Sequence, residues 1–200
     1  MSVSRLQVGI DVPWVTSWTE EPFLGVRPCP TVGGRLAVHQ AQRAGEGRPQ
    51  YSRNHLVRQR RSVAEMLCPM CGQPSTEADR WTQTARRTSV GAMRVRGLGE
   101  LLLRELKDAA VVIDAGAIAP LHLACAERSM RQCPHLSAMA SAEIRPFPKT
   151  WVVAPLTVEA KPQTPELPGL SGGGSTPVVS FLQLFGVSGE LDKRWRRALR

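Results

Sequence analysis

The sequence is short of aromatic residues, of lysine and of long apolar runs. Only 5% of its 200 residues are aromatic, although 42% are apolar, which is enough to bury a core. The apolar runs are short and broken by charges, so we expect no membrane-spanning helix. The first 25 residues lack an unbroken apolar stretch behind a basic start, which argues against a signal peptide. We therefore expect a cytoplasmic protein with no membrane partner, and the composition excludes collagen-like and coiled-coil classes.

Length and turn-forming residues bound the architecture. A chain of 200 residues usually forms one domain, or one domain with tails. Its 17 glycines and 16 prolines exceed the ordinary share of about 12% and indicate turns, arms and linkers. We predict a small α+β protein with extended arms at both ends. The predicted segments are an extended arm over 1–54, a folded domain over 55–160, a linker over 161–177, and an apolar segment with a basic tail over 178–200.

Hydrophobic spacing predicts the elements of the folded domain. Leu98, Leu101, Leu102 and Leu106 recur at helical spacing and predict a helix over 98–108. The other predicted elements are a basic helix over 55–67, a strand over 109–115, a helix over 120–133 bounded by Pro120 and Pro134, and a strand over 151–160. In the N-terminal arm, Trp14, Trp18 and Phe23 are large enough to anchor the chain against a packed surface.

Positive charge is in excess and is carried almost wholly by arginine. The chain has 26 Lys and Arg residues against 17 Asp and Glu residues, and only four of the 26 are Lys. Guanidinium groups make forked contacts with phosphate, so this excess is compatible with nucleic acid as a partner. Arginine-favouring codon usage with an ordinary solvated surface explains the composition equally well. Both interpretations stay open at the level of sequence.

The arginines cluster on either side of the first cysteine pair and at the C-terminus. Few aromatic residues interleave these clusters, which favours contact with the nucleic-acid backbone over base stacking. The residues that we predict to contact phosphate are Arg58, Arg60, Arg61, Arg86, Arg87, Arg194, Arg196 and Arg197.

Two short motifs carry the most specific signal. Cys68-Pro-Met-Cys71-Gly72 has the form of a zinc knuckle, because two thiolates at this spacing can face one ion and glycine permits the positive φ of the turn. Downstream, His122-Leu-Ala-Cys125 places two further ligands on one face of a helix. We predict that Cys68, Cys71, His122 and Cys125 hold one structural Zn²⁺ in a tetrahedral site, which stabilises the 55–160 domain.

The remaining cysteines fit other uses. Cys133 lies eight residues beyond Cys125, a helical rise of about 12 Å, so the two cannot share an ion on one helix. We expect Cys133 and Cys29 to be small packed residues, and His135 is a weaker candidate ligand. A redox pair needs a helix start, which the glycine and proline behind the first motif interrupt. Five cysteines in a cytosolic protein also disfavour a disulfide framework.

A knuckle followed by two ligands in the first turn of a later helix resembles the treble-clef zinc module, over about residues 66–136. The run PLHLACAERSMRQCPHL is similar to uncharacterised zinc-knuckle proteins of bacteriophages, prophages and actinobacteria. That resemblance implies no known activity, and it implies a virion-associated location if the protein is phage-encoded. The 50 residues between Cys71 and His122 leave open whether the usual hairpin of the module forms.

Treble-clef modules include the HNH endonucleases, whose catalytic histidine lies between the two ligand pairs and activates water beside a divalent metal. No histidine lies between Cys71 and His122, and Asn54-His55 precedes the knuckle. A zinc ion with four protein ligands also lacks the open position that catalysis needs. We therefore predict a non-catalytic module that binds nucleic acid through an Arg-rich surface. A structural or protein-interaction component, for instance of a phage-type assembly, is the alternative, and an HNH-like endonuclease is the lesser one. No small-molecule substrate is evident.

Overall fold

Helices and strands follow one another along the chain in the structure, a computed structural model. It describes residues 3–83, 86–99, 102, 104, 106–116, 118–140, 142–160 and 176–187. The helices are α1 (Leu56–Ala64), α2 (Val90–Val95), α3 (Leu123–Gln132) and α4 (Pro134–Ala138). The strands are β1 (Thr16–Trp18), β2 (Phe23–Pro28), β3 (Leu36–Gln40), β4 (Pro49–Asn54), β5 (Trp81–Thr82), β6 (Arg86–Ser89), β7 (Val111–Gly116), β8 (Arg145–Pro146), β9 (Trp151–Ala160) and β10 (Thr176–Val187). The predicted combination of helices and sheets is confirmed.

The chain divides into two units. The first contains the described residues of Met1–Pro74 and Pro155–Leu182, and the second contains those of Ser75–Ala154 and Gln183–Arg200. Strands β9 and β10 therefore contribute residues to both. Within the ranges that the structure describes, no helix has the length and apolar character needed to cross a membrane.

The first unit is built on a hairpin and a two-stranded ribbon. Strands β2 and β3 pair antiparallel around the 3₁₀ turn Pro30–Val32. Strand β10 lies parallel to β3, with Val179 opposite Ala37. Strands β1 and β4 pair antiparallel in a separate ribbon. The buried core between the hairpin and helix α1 consists of Val38, Leu56 and Val178, with Val26, Leu36 and Phe181 packed against it.

Helix α1 is held by polar side chains that are buried. Gln59 donates to the carbonyl of Leu182 at 2.6 Å, and Arg60 donates to the carbonyl of Ser180 at 2.7 Å, both in β10. Arg58 makes a bidentate ion pair with Glu21, with N–O distances of 2.6 and 2.8 Å. These bonds compensate the hydration that the charged and amide groups lose on burial. Arg58 and Arg60 of α1 therefore face the interior.

His55 is the N-cap residue of helix α1 and is fully buried. Its Nδ1 accepts from the Arg58 amide at 3.2 Å, and its Nε2 lies 2.8 Å from the carbonyl oxygen of Ala41. Burial, followed by the positive charge of Arg58, lowers the pKa of His55 from 6.5 to about 4, against the opposing effects of Ala41 and Glu21. The imidazole is therefore neutral in the folded protein at neutral pH.

We expect the free energy of unfolding to fall as the pH drops from about 6.5 towards 4. In this interval His55 binds a proton in the unfolded chain but stays neutral in the folded protein. The contribution is fully present above the unfolded pKa, and up to about 3 kcal/mol is lost near pH 4. Urea unfolding at pH 7 and pH 4.5 measures this loss. A His55→Asn variant, which keeps a capping side chain, should lose markedly less over the same interval. Equal losses in both proteins would assign the acid sensitivity to other groups.

The second unit contains the helices α2, α3 and α4 together with paired strands. Strands β6 and β7 pair antiparallel, with Arg87 opposite Ile113. Strand β10 pairs antiparallel with β7, with Phe185 opposite Asp114. Strands β5 and β8 form a separate antiparallel pair. The buried core consists of Val90, Met93, Leu102, Leu106, Val112, Ala154 and Phe185.

Several predicted elements form with shifted ends. The basic helix over 55–67 is α1, the strand over 109–115 is β7, and the strand over 151–160 is β9. The helix over 120–133 is α3, which begins at Leu123 instead of Pro120 and ends before Pro134. Strand β10 occupies the predicted apolar segment and begins two residues earlier. The linker residues 161–175 and the basic tail over 188–200 lie outside the described residues.

The predicted helix over 98–108 is wrong for the residues that the structure describes there. None of residues 98, 99, 102, 104 and 106–108 belongs to an α-helix. Leu102 and Leu106 are nevertheless buried in the core, each 7% exposed. The helix of this region is α2, which Ser89 caps by accepting from the amide of Ala92. The spacing of the leucines therefore indicated which residues are buried, but it did not indicate an α-helix.

Residues 3–54 carry four strands where the sequence predicts an extended arm. Of the three predicted anchors, Trp18 is buried to 1% exposure and Phe23 is 46% exposed. All three residues of β1 are buried, including Thr16 and Ser17. A strand that is buried on both faces shows no alternation of polar and apolar residues, so its sequence gives no strand signal.

Candidate metal centre

The first pair of candidate ligands lies in a tight turn after helix α1. The amide of Gly72 donates to the carbonyl of Cys68 at 2.8 Å, and the amide of Cys68 donates to the carbonyl of Gln73 at 2.8 Å. Gly72 has a φ of 76°, in the left-handed region that favours glycine. These bonds close the predicted knuckle and bring the two ends of the motif together.

The N-terminal segment packs against this turn. The amides of Trp14 and Val15 donate to the carbonyls of Met70 and Pro69, at 2.8 and 3.0 Å. The indole of Trp14 lies against Gly72 so closely that a Cβ on residue 72 would stand 2.8 Å from the ring. Trp14 thus serves as an anchor, as predicted, and its partner is the knuckle.

The second pair lies at the beginning of helix α3. His122 is the N-cap residue and Cys125 lies in the first turn, three residues on and on the same face. The carboxylate of Asp79 caps the helix, since its Oδ1 accepts from the amide of Leu123 at 2.8 Å. The His122 side chain makes no capping bond. Because the Asp79 carboxylate accepts from an amide at the start of α3, the His122 imidazole is not needed to cap the helix.

The four predicted ligands come together. One ligand atom from each of Cys68, Cys71, His122 and Cys125 lies within 4.8 Å of the other three. The Cys125 Sγ lies 4.0 Å from the His122 Nδ1. With metal–ligand bonds of about 2.1 to 2.3 Å, a tetrahedral zinc site has edges of about 3.5 to 3.8 Å. A contraction of at most about 1.3 Å would bring the cluster to that size, so a possible Cys₃His metal site exists here.

Charge around the cluster suits bound zinc. Three thiolates and one Zn²⁺ carry a net charge of −1, which nearby cations and helix N-termini stabilise. The Arg128 guanidinium donates to the Cys125 Sγ at 3.8 Å, and the cluster adjoins the N-terminus of α3. Arg80, which lies near the knuckle in sequence, instead bonds to Ser75 and stacks on Trp151 at 5.3 Å.

The other two cysteines stand apart from this cluster. Cys29 is 4% exposed and bonds to the hydroxyl of Thr31 at 3.0 Å, which confirms a packed residue. Cys133 is half-buried at the junction of α3 and α4, and His135 is exposed in α4. Neither belongs to a group of close metal-ligating side chains among the described residues.

Two of the predicted phosphate contacts are buried. Arg58 is 3% exposed and paired with Glu21, and Arg60 is 0% exposed and donates to the carbonyls of Ser180 and Val38. A guanidinium enclosed in this way cannot reach a phosphate on the surface. Arg58 and Arg60 are therefore corrected from partner contacts to structural residues.

The other predicted phosphate contacts divide between surface and undescribed positions. Arg61 is 42% exposed and pairs with Glu65 at 3.0 Å, one turn along α1. Arg87 is exposed in β6, and Arg86 precedes it in the same strand. Arg194, Arg196 and Arg197 lie outside the described residues. Arg61 and Arg87 thus remain accessible to a partner.

The histidine of the nuclease alternative is buried. His55 is 0% exposed and contacts the main chain of Ala41 and Arg58. A catalytic base must reach the proton that it abstracts, and this side chain reaches only its own fold. His55 therefore offers no support for an HNH-like active site.

Two residues that shape the candidate site were not found from the sequence. Asp79 both caps α3 and accepts from the Trp81 indole at 3.0 Å, and Gln83 bonds to Ser129 inside the same helix at 2.9 Å. The bonds to Leu123 and Ser129 in α3 join residues 44 and 46 positions apart. No local sequence motif predicts these two contacts, since an isolated Asp or Gln between turns is common in any sequence.

No protein-family model matches this chain, and neither a curated protein nor a solved structure is detectably similar to it.

Proposed function

We propose that this protein is a non-catalytic, zinc-stabilised module that binds nucleic acid. The observation that carries the metal part is the convergence of three thiols and one imidazole within 4.8 Å. Thiolate and imidazole are the ligands that zinc prefers in structural sites, and a full set of four protein ligands leaves no position for a reacting water. The ion would contribute to folding and not to a reaction.

The order of elements supports a treble-clef-like module. The knuckle is followed by the antiparallel pair β6 and β7, and then by α3, whose first turn supplies two ligands. The segment between the two strands, residues 90–110, contains α2 and the buried leucines Leu102 and Leu106. The long separation of the ligand pairs is therefore compatible with a hairpin that carries an inserted core.

Exposed arginine supports nucleic acid as the partner. Although Arg58 and Arg60 are buried, six arginines of the first 54 residues are exposed: Arg5, Arg27, Arg35, Arg43, Arg48 and Arg53. The formal net charge of the chain is +9. When such a surface binds a nucleic acid, it releases the counterions condensed on the phosphates, and this release favours binding.

Salt-dependent binding tests this proposal. Using the full zinc-loaded chain and fluorescent duplex and single-stranded oligonucleotides, we expect micromolar or tighter dissociation constants at about 50 mM salt. The logarithm of the association constant should fall with the logarithm of salt with a slope of several units. An Arg87→Ala variant should reduce that slope by about one. Absence of binding to either oligonucleotide at low salt would reject nucleic acid and leave the protein-assembly role.

A further inference from the structure

The first unit carries a groove of about 740 Å³ along the ribbon of β1 and β4. Its volume falls within the range of about 300 to 1,000 Å³ that accommodates small organic ligands. Phe23 and Phe181 supply aromatic surface to its walls, and the buried Trp18 also lines it. Phe23 is 46% exposed, so its ring is accessible to a ligand.

One strand supplies the polar side of this groove. Gln50, Ser52 and Asn54 of β4 all line it. The pairing of β4 with β1 shifts register between Gln50 and Asn54, and the adjacent residues of this irregular segment line the groove together. Amide and hydroxyl groups both donate and accept hydrogen bonds, which suits the mixed polar edge of a nucleobase.

Charge at the groove is positive on balance. Its charged lining residues are Glu21 and Arg53. The Glu21 carboxylate is buried and neutralised by the bidentate pair with Arg58. Arg53 is exposed and lines the groove, so it adds a positive charge there.

Two more arginines are tied to the wall of the groove. The Arg43 amide donates to the Glu21 carboxylate at 3.0 Å, and the Arg48 amide donates to the Thr19 hydroxyl at 3.1 Å. Glu21 and Thr19 are both lining residues. The side chains of Arg43 and Arg48 are exposed. The groove with aromatic walls is therefore lined by Arg53, and the main chain of two further exposed arginines is bonded to its lining residues.

We propose that this groove binds a single-stranded segment of nucleic acid, with a base against Phe23 and the sugar-phosphate chain along Arg43, Arg48 and Arg53. The inference rests on the proposed function and assigns it a site. Proteins that bind single strands combine a basic track with exposed aromatic rings on which bases stack. A duplex offers phosphates to the same arginines but keeps its bases inside the helix, so it cannot use Phe23.

The experiment compares two labelled oligonucleotides of about 12 nucleotides, one normal and one abasic with the same number of phosphates. For the normal strand, we expect Phe23→Ala to weaken binding about tenfold or more. For the abasic strand, the same variant should bind as the native protein does. Arg53→Ala should weaken binding of both strands and lower the salt slope by about one.

Matched controls use exposed residues that do not line the groove. Tyr51 in β4 is 64% exposed, and Arg35 is exposed in the hairpin. Tyr51→Ala should leave binding of the normal strand unchanged, and Arg35→Ala should weaken it less than Arg53→Ala does. Circular dichroism and zinc content of each variant establish that the fold is intact.

The outcomes separate the groove from the wider proposal. If Phe23→Ala weakens binding no more than Tyr51→Ala does, or affects normal and abasic strands equally, the groove is not a base-binding site. Tight, salt-dependent binding of duplex with no binding of the single strand would also overturn the groove while retaining the proposed function. Failure of both oligonucleotides to bind would overturn both.

Discussion

Replacing Cys125 by serine is expected to abolish zinc binding. The native chain should contain one zinc, because the four ligand atoms lie within 4.8 Å of one another. Serine cannot supply the thiolate that holds the ion, and zinc binding in small structural sites is worth about 10 kcal/mol or more. We therefore expect no bound zinc by mass spectrometry and loss of the cooperative thermal transition.

Cys133→Ser is the matched control, because it removes a thiol from the C-terminal end of the same helix without touching the cluster. It should retain one zinc and unfold near the native temperature. If Cys125→Ser does not accumulate as a folded protein, Co²⁺ substitution of the native chain supplies an independent measurement. We expect thiolate-to-cobalt charge-transfer bands together with the d–d bands of tetrahedral Co²⁺. The weak d–d bands of octahedral Co²⁺, without charge-transfer bands, would contradict the ligand assignment.

The second large effect is expected from Glu21→Ala. This carboxylate accepts from Arg58, from the amide of Trp18 at 2.8 Å and from the amide of Arg43 at 3.0 Å. Removing it leaves the buried guanidinium of Arg58 without its counter-ion, which costs about 3–5 kcal/mol. Chemical denaturation with urea at pH 7 measures the loss.

The exposed pair on the same helix provides the comparison. Arg61 and Glu65 are each 42% exposed, so Glu65→Ala should cost only about 0.3–0.5 kcal/mol. Similar losses in the two variants would mean that water screens the Glu21 pair. That result would contradict the burial of both of its side chains.

Local chemistry explains why the candidate ligands could be chosen from the sequence. Each pair is carried by a motif of four residues, and each motif forms the expected turn or helix start. Their convergence across 50 intervening residues is a property of the fold and not of either motif. Strand β7 was predicted from its own residues, but its pairing with β6 was not, because the inserted segment that contains α2 separates the two strands.

Burial of charge could not be predicted in the same way. Arg58 pairs with a carboxylate 37 positions away, and Arg60 bonds to a carbonyl 120 positions away. Sequence clustering placed both among surface residues because it sees only neighbours along the chain. The groove could not be predicted from the sequence for the same reason. Phe23 and Phe181, which both line it, belong to strands that are distant in the sequence.

The contact between Trp14 and Gly72 has an evolutionary consequence. The indole occupies the space that any Cβ at position 72 would need, and the φ of 76° there already favours glycine. Substitutions at the two positions should therefore be correlated in diverging copies of this gene, a larger residue at 72 appearing only with a smaller one at 14. Such covariation would mark the turn even in copies whose other residues have drifted.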